Sequence, residues 1–209
     1  MKGKRVGIRF SVAPLRRGRG EEIRRIFNEA ALLLTASRIE RKVMEVVKLL
    51  TSALGAGNKI FICGNGGSAG EAAHFAAELL GRFKKERAAL PAIALGSNAP
   101  ALTAISNDYD FTLAFRRELE ALGRKGDMLL AFSTSGNSKN VLEAVGAAEK
   151  LGMKTIGFSG LRGKLKNKVD LAITVPSQST PRIQEVHLVL IHVISELVED
   201  LLFKNAKSS

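Results

Sequence analysis

The chain has little cysteine, little tyrosine and no tryptophan: one Cys and one Tyr in 209 residues. The lone Cys63 excludes an internal disulfide, so we expect a protein of the reducing cytoplasm. Cys63 ends an apolar run, which favours a buried, inert thiol over a nucleophile. Aromatic residues that could stack on bases are scarce, with no Trp and one Tyr, so a single-stranded nucleic-acid ligand is disfavoured. No apolar run approaches the roughly 20 residues of a membrane span, so we expect no membrane partner.

Positive charge is abundant but unevenly placed. The formal net charge is +12, and residues 1–20 contain seven lysines and arginines and no acid. The excess therefore belongs largely to the start of the chain, which weakens the case for a nucleic-acid-binding domain. We predict a basic, disordered leader over residues 1–20, or an over-extended start of the reading frame, followed by a single domain over residues 21–209.

Short apolar runs alternate with helix-like stretches along most of the chain. From Glu21 the pattern is helical, and apolar residues from Ile39 to Leu54 recur every three or four positions. Beyond them, five strand-like runs occupy residues 59–63, 91–95, 127–132, 154–158 and 169–175. This alternation predicts an α/β fold: a doubly wound five-stranded parallel sheet in the flavodoxin-like order 2-1-3-4-5. The helical stretch at the start of the domain predicts N-terminal helices that precede this sheet.

Two loops rich in glycine and serine carry the strongest functional signal. Residues 64–68 (GNGGS) follow the first strand, and residues 133–138 (STSGNS) follow the third. In the predicted order these strands are neighbours, and ligands bind beyond their carboxyl ends. Each loop also precedes a helix, whose free N–H groups and dipole favour an anion. The sequence therefore predicts one phosphorylated ligand held by both loops.

The same loops argue against a nucleotide. Gly64, Gly66 and Ala69 fit G-x-G-x-x-A, but the second strand ends in Leu95 without the acid that would hold a ribose. No G-x-x-x-x-G-K-[ST] occurs anywhere, which excludes a P-loop. The four hydroxyls of residues 133–138 suit a phosphate monoester instead. We expect no nucleotide cofactor.

The three histidines lie on the two helices that could border this crevice. His74 and Glu78 are four residues apart and share a helix face. His187 and His192 are five apart, so at most one of them should face the crevice, whereas Gln184 and His192 lie on overlapping faces. A histidine from each side favours acid–base chemistry or an open zinc site with three protein ligands.

These segments together resemble those of a known family. The motifs are CGNGGS at 63–68, HFAAE at 74–78, SND at 106–108, STSGNS at 133–138 and RIQEVH at 182–187 with His192. They resemble the phosphoheptose isomerases of the sugar isomerase (SIS) domain family. The resemblance runs from about residue 25 to residue 203, and the histidine and RIQE motifs make it far more specific than STSGNS alone.

The resemblance implies a ketose–aldose isomerase that converts sedoheptulose 7-phosphate to D-glycero-D-manno-heptose 7-phosphate through an enediol, for nucleotide-activated heptose and the lipopolysaccharide core. It also implies a homotetramer with active sites between subunits. Glu78 and His192 would be the acid–base pair, and zinc would bind His74, Glu78, Gln184 and His192. The substrate would contact residues of four segments: Asn65, Gly66, Gly67, Ser68, Glu78, Asn107, Asp108, Ser133, Thr134, Ser135, Ser138 and Gln184.

The chain departs from the family at two positions. Pro181 stands where members often have an aspartate before the RIQE arginine, and Ala77 replaces an acid beside the glutamate. Other parts resemble non-catalytic SIS proteins that bind the replication initiator protein, but those lack the counterparts of Glu78 and His192. Such a regulator, or an isomerase of another phosphosugar, remains the alternative to the heptose enzyme.

Overall fold

The structure, a computed structural model, describes residues 19–36 and 39–204. Five strands run through this part of the chain: β1 (Ile60–Cys63), β2 (Ala92–Ala94), β3 (Met128–Ser133), β4 (Lys154–Gly160) and β5 (Leu171–Val175). The helices are α1 (Arg19–Ala36), α2 (Glu40–Gly55), α3 (Gly67–Leu80), α4 (Ala99–Asp108), α5 (Ala114–Leu122), α6 (Lys139–Lys150) and α7 (Thr180–Leu202). Short 3₁₀ turns lie at Phe111–Leu113 and Leu165–Asn167.

All five strands form one parallel sheet in the order β2-β1-β3-β4-β5. β1 and β3 are neighbours, with Ile60 opposite Met128 and Cys63 opposite Ala131. Both strands are buried along their whole length, as expected where helices cover both faces of a sheet. The predicted α/β class and strand order are confirmed. The carboxyl ends of β1 and β3 therefore meet at the switch point of the sheet.

The core consists of two apolar layers, one on each face of the sheet. Ile60 and Ile62 of β1 pack with buried side chains of α2, α3 and α7. Phe61 and Cys63 point to the opposite face and pack with α5 and α6. Successive side chains of a strand alternate between faces, so a continuous apolar run supplies both layers. This confirms that the sheet is doubly wound.

Helix α1 begins earlier than the sequence predicts. It starts at Arg19, so Arg19 and Gly20 belong to a helix rather than to the predicted leader. The rest of that leader, residues 1–18, lies outside the described residues, and the division into leader and domain stays a prediction. Among the described helices, none combines the length and apolar character needed to cross a lipid bilayer.

Helix α7 starts beside the loop that follows β3 and packs on the face of the sheet that α3 covers. It begins after Ser179, with Pro181 in its first turn, where a missing N–H costs nothing. The hydroxyls of Thr134 and Thr180 are 3.5 Å apart, so α7 starts beside the loop that follows β3. Its buried stripe packs against α2 and α3: Ile183, Val186, Leu190, Ile191, Ile194 and Val198. α7 therefore runs from one predicted part of the site to the other.

Candidate active site

Two asparagines join the loops that follow β1 and β3. Asn65 Nδ2 donates to Asn140 Oδ1, and Asn140 Nδ2 donates back to Asn65 Oδ1, each at 2.8 Å. Asn140 lies in the first turn of α6, is 3% exposed, and also accepts the Val141 N–H at 3.0 Å. A buried amide must be satisfied in this way, because an unpaired donor is costly. The pair holds the two loops in a fixed relation.

Three hydroxyls gather within the loop after β3. Ser133 Oγ lies 3.0 Å from Ser138 Oγ and 3.5 Å from Ser135 Oγ. The Asn137 N–H donates to Ser135 Oγ at 3.2 Å, which closes a tight turn. Each hydroxyl can rotate to donate or accept, so the cluster can serve the oxygens of an incoming phosphate. Thr134 lies at the same loop and contributes to a neighbouring pocket of about 220 Å³, which Arg162 also lines.

The N-terminus of α6 adds an electrostatic element to this loop. Ser138 occupies the N-cap position with extended backbone, and its side chain makes no capping hydrogen bond. The first N–H groups of a helix have no intrahelical partner, and the helix dipole is positive there. An anion held by the three serines would therefore meet a favourable field.

The segment after β4 supports the loop from behind. Gly136 has φ of +65°, and a Cβ there would come within 2.7 Å of the Arg162 carbonyl. Its own carbonyl accepts the N–H groups of Lys164 and Leu165 at 2.9 and 3.0 Å. A Cβ at Gly163 would overlap the Ser135 carbonyl. Glycine is thus required at both positions for the two backbones to approach so closely.

His74, Glu78 and His192 form a compact cluster where α3 faces α7. The Nε2 atoms of His74 and His192 are 2.9 Å apart, and His74 Nε2 lies 3.3 Å from Glu78 Oε1. One ligand atom from each residue lies within 4.8 Å of the others, and all three side chains are partly exposed. The structure thus brings together three of the predicted site residues from two helices.

This donor set fits a transition metal. Two imidazoles and a carboxylate are ligands that zinc accepts, with a fourth position left for water or substrate. Two nitrogens bound to one tetrahedral zinc lie roughly 3.3 Å apart, given bonds of about 2.0–2.1 Å. The observed 2.9 Å between the ring nitrogens needs a shift of only a few tenths of an ångström. These three residues can therefore hold a metal ion.

Gln184 lies on the same side of α7, two turns before His192. Its amide packs so closely on Gly67 that a Cβ at position 67 would overlap it. Gln184 and His74 line one cavity of about 480 Å³, together with Pro181. The structure thus places the predicted fourth ligand next to the first turn of α3, in the cavity that His74 also reaches.

Phe83 covers His192 from the segment that follows α3. The two rings are stacked, with centroids 5.6 Å apart and planes 27° from parallel. His74 contacts the same imidazole edge-on, at a centroid distance of 5.1 Å. Phe83 is a site residue that the sequence analysis missed, because its contact depends on the path of an irregular segment.

His187 is not part of the cluster. It is fully buried and packs edge-to-face on Phe132 and Phe158, at 5.5 and 5.9 Å. Its Nδ1 lies 3.7 Å from Glu71 Oε2, and neither side chain has a hydrogen-bond partner within the described residues. The five-residue spacing predicts that at most one of the two α7 histidines faces the crevice; His187 is buried in the core, whereas His192 belongs to the cluster.

The remaining predicted contact residues are less tightly gathered. Asn107 Nδ2 donates to Asp108 Oδ1 at 2.8 Å, and both lie exposed at the end of α4. Gly66, with φ of +55°, caps α3, while Ser68 is buried and presents little surface to a ligand.

Cys63 is buried, and burial raises the pKa of its thiol to about 12, as expected of an inert cysteine.

Known proteins share both this fold and these segments. A model of the SIS domain matches residues 26–160. The chain is 51% identical over 163 residues to the phosphoheptose isomerase of Thermodesulfovibrio yellowstonii, covering 78% of this chain and 81% of that protein.

Solved structures agree with this relationship. The phosphoheptose isomerase of Neisseria gonorrhoeae superimposes with a TM-score of 0.82 at 38% identity, covering 87% of this chain and 98% of that one. The enzyme from Francisella tularensis gives 0.83 at 35% identity, with the same coverage. The chain therefore belongs to the SIS domain family, among the phosphoheptose isomerases, and it is an isomerase.

Proposed function

We propose that the chain interconverts sedoheptulose 7-phosphate and D-glycero-D-manno-heptose 7-phosphate, and so supplies nucleotide-activated heptose for lipopolysaccharide core biosynthesis. The observation that carries this proposal is the His74, Glu78 and His192 cluster on α3 and α7. α3 follows the first of the two anion-binding loops, and α7 starts beside the second. The names of the relatives point to the same substrate class.

The loop after β3 would bind the phosphate. Its clustered hydroxyls and the uncapped start of α6 suit a phosphate monoester. The loop after β1 and the end of α4 would contact the sugar. In this proposal the phosphate contacts are Ser133, Thr134, Ser135 and Ser138, and the sugar contacts are Asn65, Gly66, Gly67, Ser68, Glu78, Asn107, Asp108 and Gln184.

Glu78 and His192 would move the protons. Aldose–ketose isomerisation takes a proton from one carbon and returns it to its neighbour through an enediol, while the sugar oxygens gain and lose protons. Glu78 and His192 lie on different helices and reach the same metal-sized space, so a carboxylate and an imidazole can act on one substrate. Both are partly exposed, which leaves them accessible to a ligand.

We also propose that zinc binds His74, Glu78, Gln184 and His192. When bound, zinc would polarise the sugar oxygens as a Lewis acid. Glu78 Oε1 lies 3.3 Å from His74 Nε2, so both atoms could bind the same ion. Gln184 is held against Gly67 on the same side of α7.

A homotetramer accounts for an apolar surface on α1, α2 and α7. A groove of about 390 Å³ lies between these helices, lined by Leu34, Met44, Val189 and Val193 among others. Met44 is 42% exposed, and Val193, which lines the same groove, is 40% exposed. Contiguous exposed apolar side chains of this kind mark subunit contacts. Light scattering should give the mass of four chains for the wild type, and a smaller mass for Met44→Glu.

The cytoplasmic location and the absence of nucleic-acid and membrane partners stay predictions from the sequence. They are consistent with a small, charged sugar phosphate as the ligand.

The test is incubation of purified protein with sedoheptulose 7-phosphate, with and without added zinc. Chromatographic separation should show the heptose phosphate. Absence of conversion under both conditions would favour a non-catalytic regulator, which binding to a replication initiator protein would then establish. Faster conversion of another ketose phosphate, such as fructose 6-phosphate, would identify a different isomerase.

A further inference from the structure

A buried ion pair joins helix α7 to the irregular segment that follows α3. Arg87 Nε donates to Glu199 Oε1 at 2.8 Å, and both side chains are almost wholly buried, at 0% and 1% exposure. Arg87 comes from the irregular segment between α3 and β2, whereas Glu199 belongs to α7. A buried ion pair of this kind is costly unless its remaining hydrogen-bonding capacity is also satisfied.

Arg87 satisfies its other donors on the end of α3. Its guanidinium donates to the carbonyls of Glu78 at 2.7 Å, Leu79 at 2.8 Å and Gly81 at 3.0 Å. The last carbonyls of a helix have no partner within it, so Arg87 caps α3. The capped turn includes Glu78, one of the proposed catalytic residues.

Glu199 satisfies its other lone pairs on the segment after α3. It accepts the backbone N–H groups of Phe83, Lys84 and Lys85 at 2.8, 2.8 and 3.0 Å. Glu199 lies seven residues after His192, two helical turns along the same face of α7. The carboxylate that fixes the Phe83 backbone therefore lies on the same helix face as the imidazole on which the Phe83 ring stacks.

We infer that Arg87 and Glu199 are positioning residues for the isomerisation, which set Glu78 opposite His192 and hold the Phe83 ring on His192. This inference rests on the proposed roles of Glu78 and His192. The pair ties the Glu78 turn of α3 to α7 and simultaneously fixes the segment that covers His192. Neither Arg87 nor Glu199 touches the reacting atoms; they act through the residues that they place.

The experiment compares Glu199→Gln, Arg87→Lys and Phe83→Leu with the matched control Asp200→Asn. Asp200 is the neighbouring carboxylate, half exposed and paired with Lys85 Nζ at 2.7 Å, so its loss should be nearly neutral. For each variant kcat, KM, zinc affinity by competition with a chromogenic chelator, and the NMR signals of the His192 ring are measured.

We expect Glu199→Gln and Arg87→Lys to lower kcat or zinc affinity by about 10–100-fold, the usual effect of disturbing a residue that orients a site. KM should change less than threefold, because the phosphate loop is untouched. Phe83→Leu, which leaves no buried charge unpaired, should shift the His192 signals and lower kcat severalfold while the protein stays folded. Asp200→Asn should match the wild type in every readout.

Wild-type kcat, zinc affinity and His192 signals in Phe83→Leu and in a folded Glu199→Gln would overturn the inference. If Glu199→Gln does not fold, Arg87→Lys and Phe83→Leu decide it by the same criteria. A wild-type protein without isomerase activity would refute the proposed function alone. In that case, His192 signals that shift in the three variants but not in Asp200→Asn would still support the positioning role.

Discussion

Removal of the Asn65 amide, which is half-buried in the loop after β1, is expected to destabilise the protein strongly. Asn65→Ala breaks two 2.8 Å hydrogen bonds and leaves Asn140 Nδ2, in a side chain that is 3% exposed, without a partner. A buried donor left unsatisfied costs about 1–3 kcal/mol, and the lost bonds add to this. We expect the free energy of unfolding to fall by about 2–3 kcal/mol, and Tm by roughly 5–10 °C in a chain of this size.

The assay is urea unfolding at one fixed protein concentration, because subunit association would otherwise shift the midpoint. Asn167→Ala, at an exposed asparagine, is the control and should change stability by less than about 0.5 kcal/mol. In a double-mutant cycle, Asn65→Ala and Asn140→Ala should be non-additive by about 1–2 kcal/mol. An Asn65→Ala variant as stable as the control, or an additive cycle, would refute the idea that this pair joins the two loops.

Three further predictions concern buried groups. Since burial raises the pKa of Cys63 to about 12, iodoacetamide at pH 8 should leave the native thiol unmodified and label it only in urea; rapid native labelling would contradict this. Burial alone would raise the pKa of Glu199. The hydrogen bonds from three backbone N–H groups and Arg87 outweigh this effect and hold the pKa below its usual value of 4.5. Stability should therefore be lost as the pH falls below about 4.5, less steeply in Glu199→Gln, as urea midpoints between pH 3 and 6 will show. His187→Phe should destabilise the protein by about 1–3 kcal/mol, since it leaves the buried Glu71 carboxylate without the imidazole beside it. Adding Glu71→Leu to this variant should restore much of the lost stability, as measured by urea unfolding.

The sheet and its loops could be predicted because their signals are local. Short apolar runs ending in glycine and serine mark buried parallel strands, and the topology rules leave few strand orders. The start of the first helix could not be placed as well. Gly20 is a poor helix former, yet α1 begins at Arg19, with Glu21 and Glu22 in its first turn, where acidic side chains favour the helix dipole.

The site residues also divide into those that a local sequence pattern predicts and those that no pattern predicts. The four-residue spacing of His74 and Glu78 requires only a helix to bring them together, and the five-residue spacing of the α7 histidines separates them on any helix. Phe83 and Arg87 lie in an irregular segment without periodicity, so no pattern predicts that they cover His192 and cap α3. Asn140 could have been suspected, since a polar residue at a buried helical position needs a partner, but the sequence does not say which.

The most direct test of the central claim is ¹H NMR of the reaction of sedoheptulose 7-phosphate with the wild type, Glu78→Gln and His192→Asn. The ketose has no hydrogen on its anomeric carbon, whereas the aldose has one, so a new anomeric signal reports the isomerisation itself. We predict this signal with the wild type and a rate at least about 100-fold lower in either variant, as for the loss of an acid–base group, with Tm nearly unchanged because both side chains are partly exposed. Near-wild-type rates in either variant would contradict the claim that these two residues, facing each other from α3 and α7, carry the chemistry.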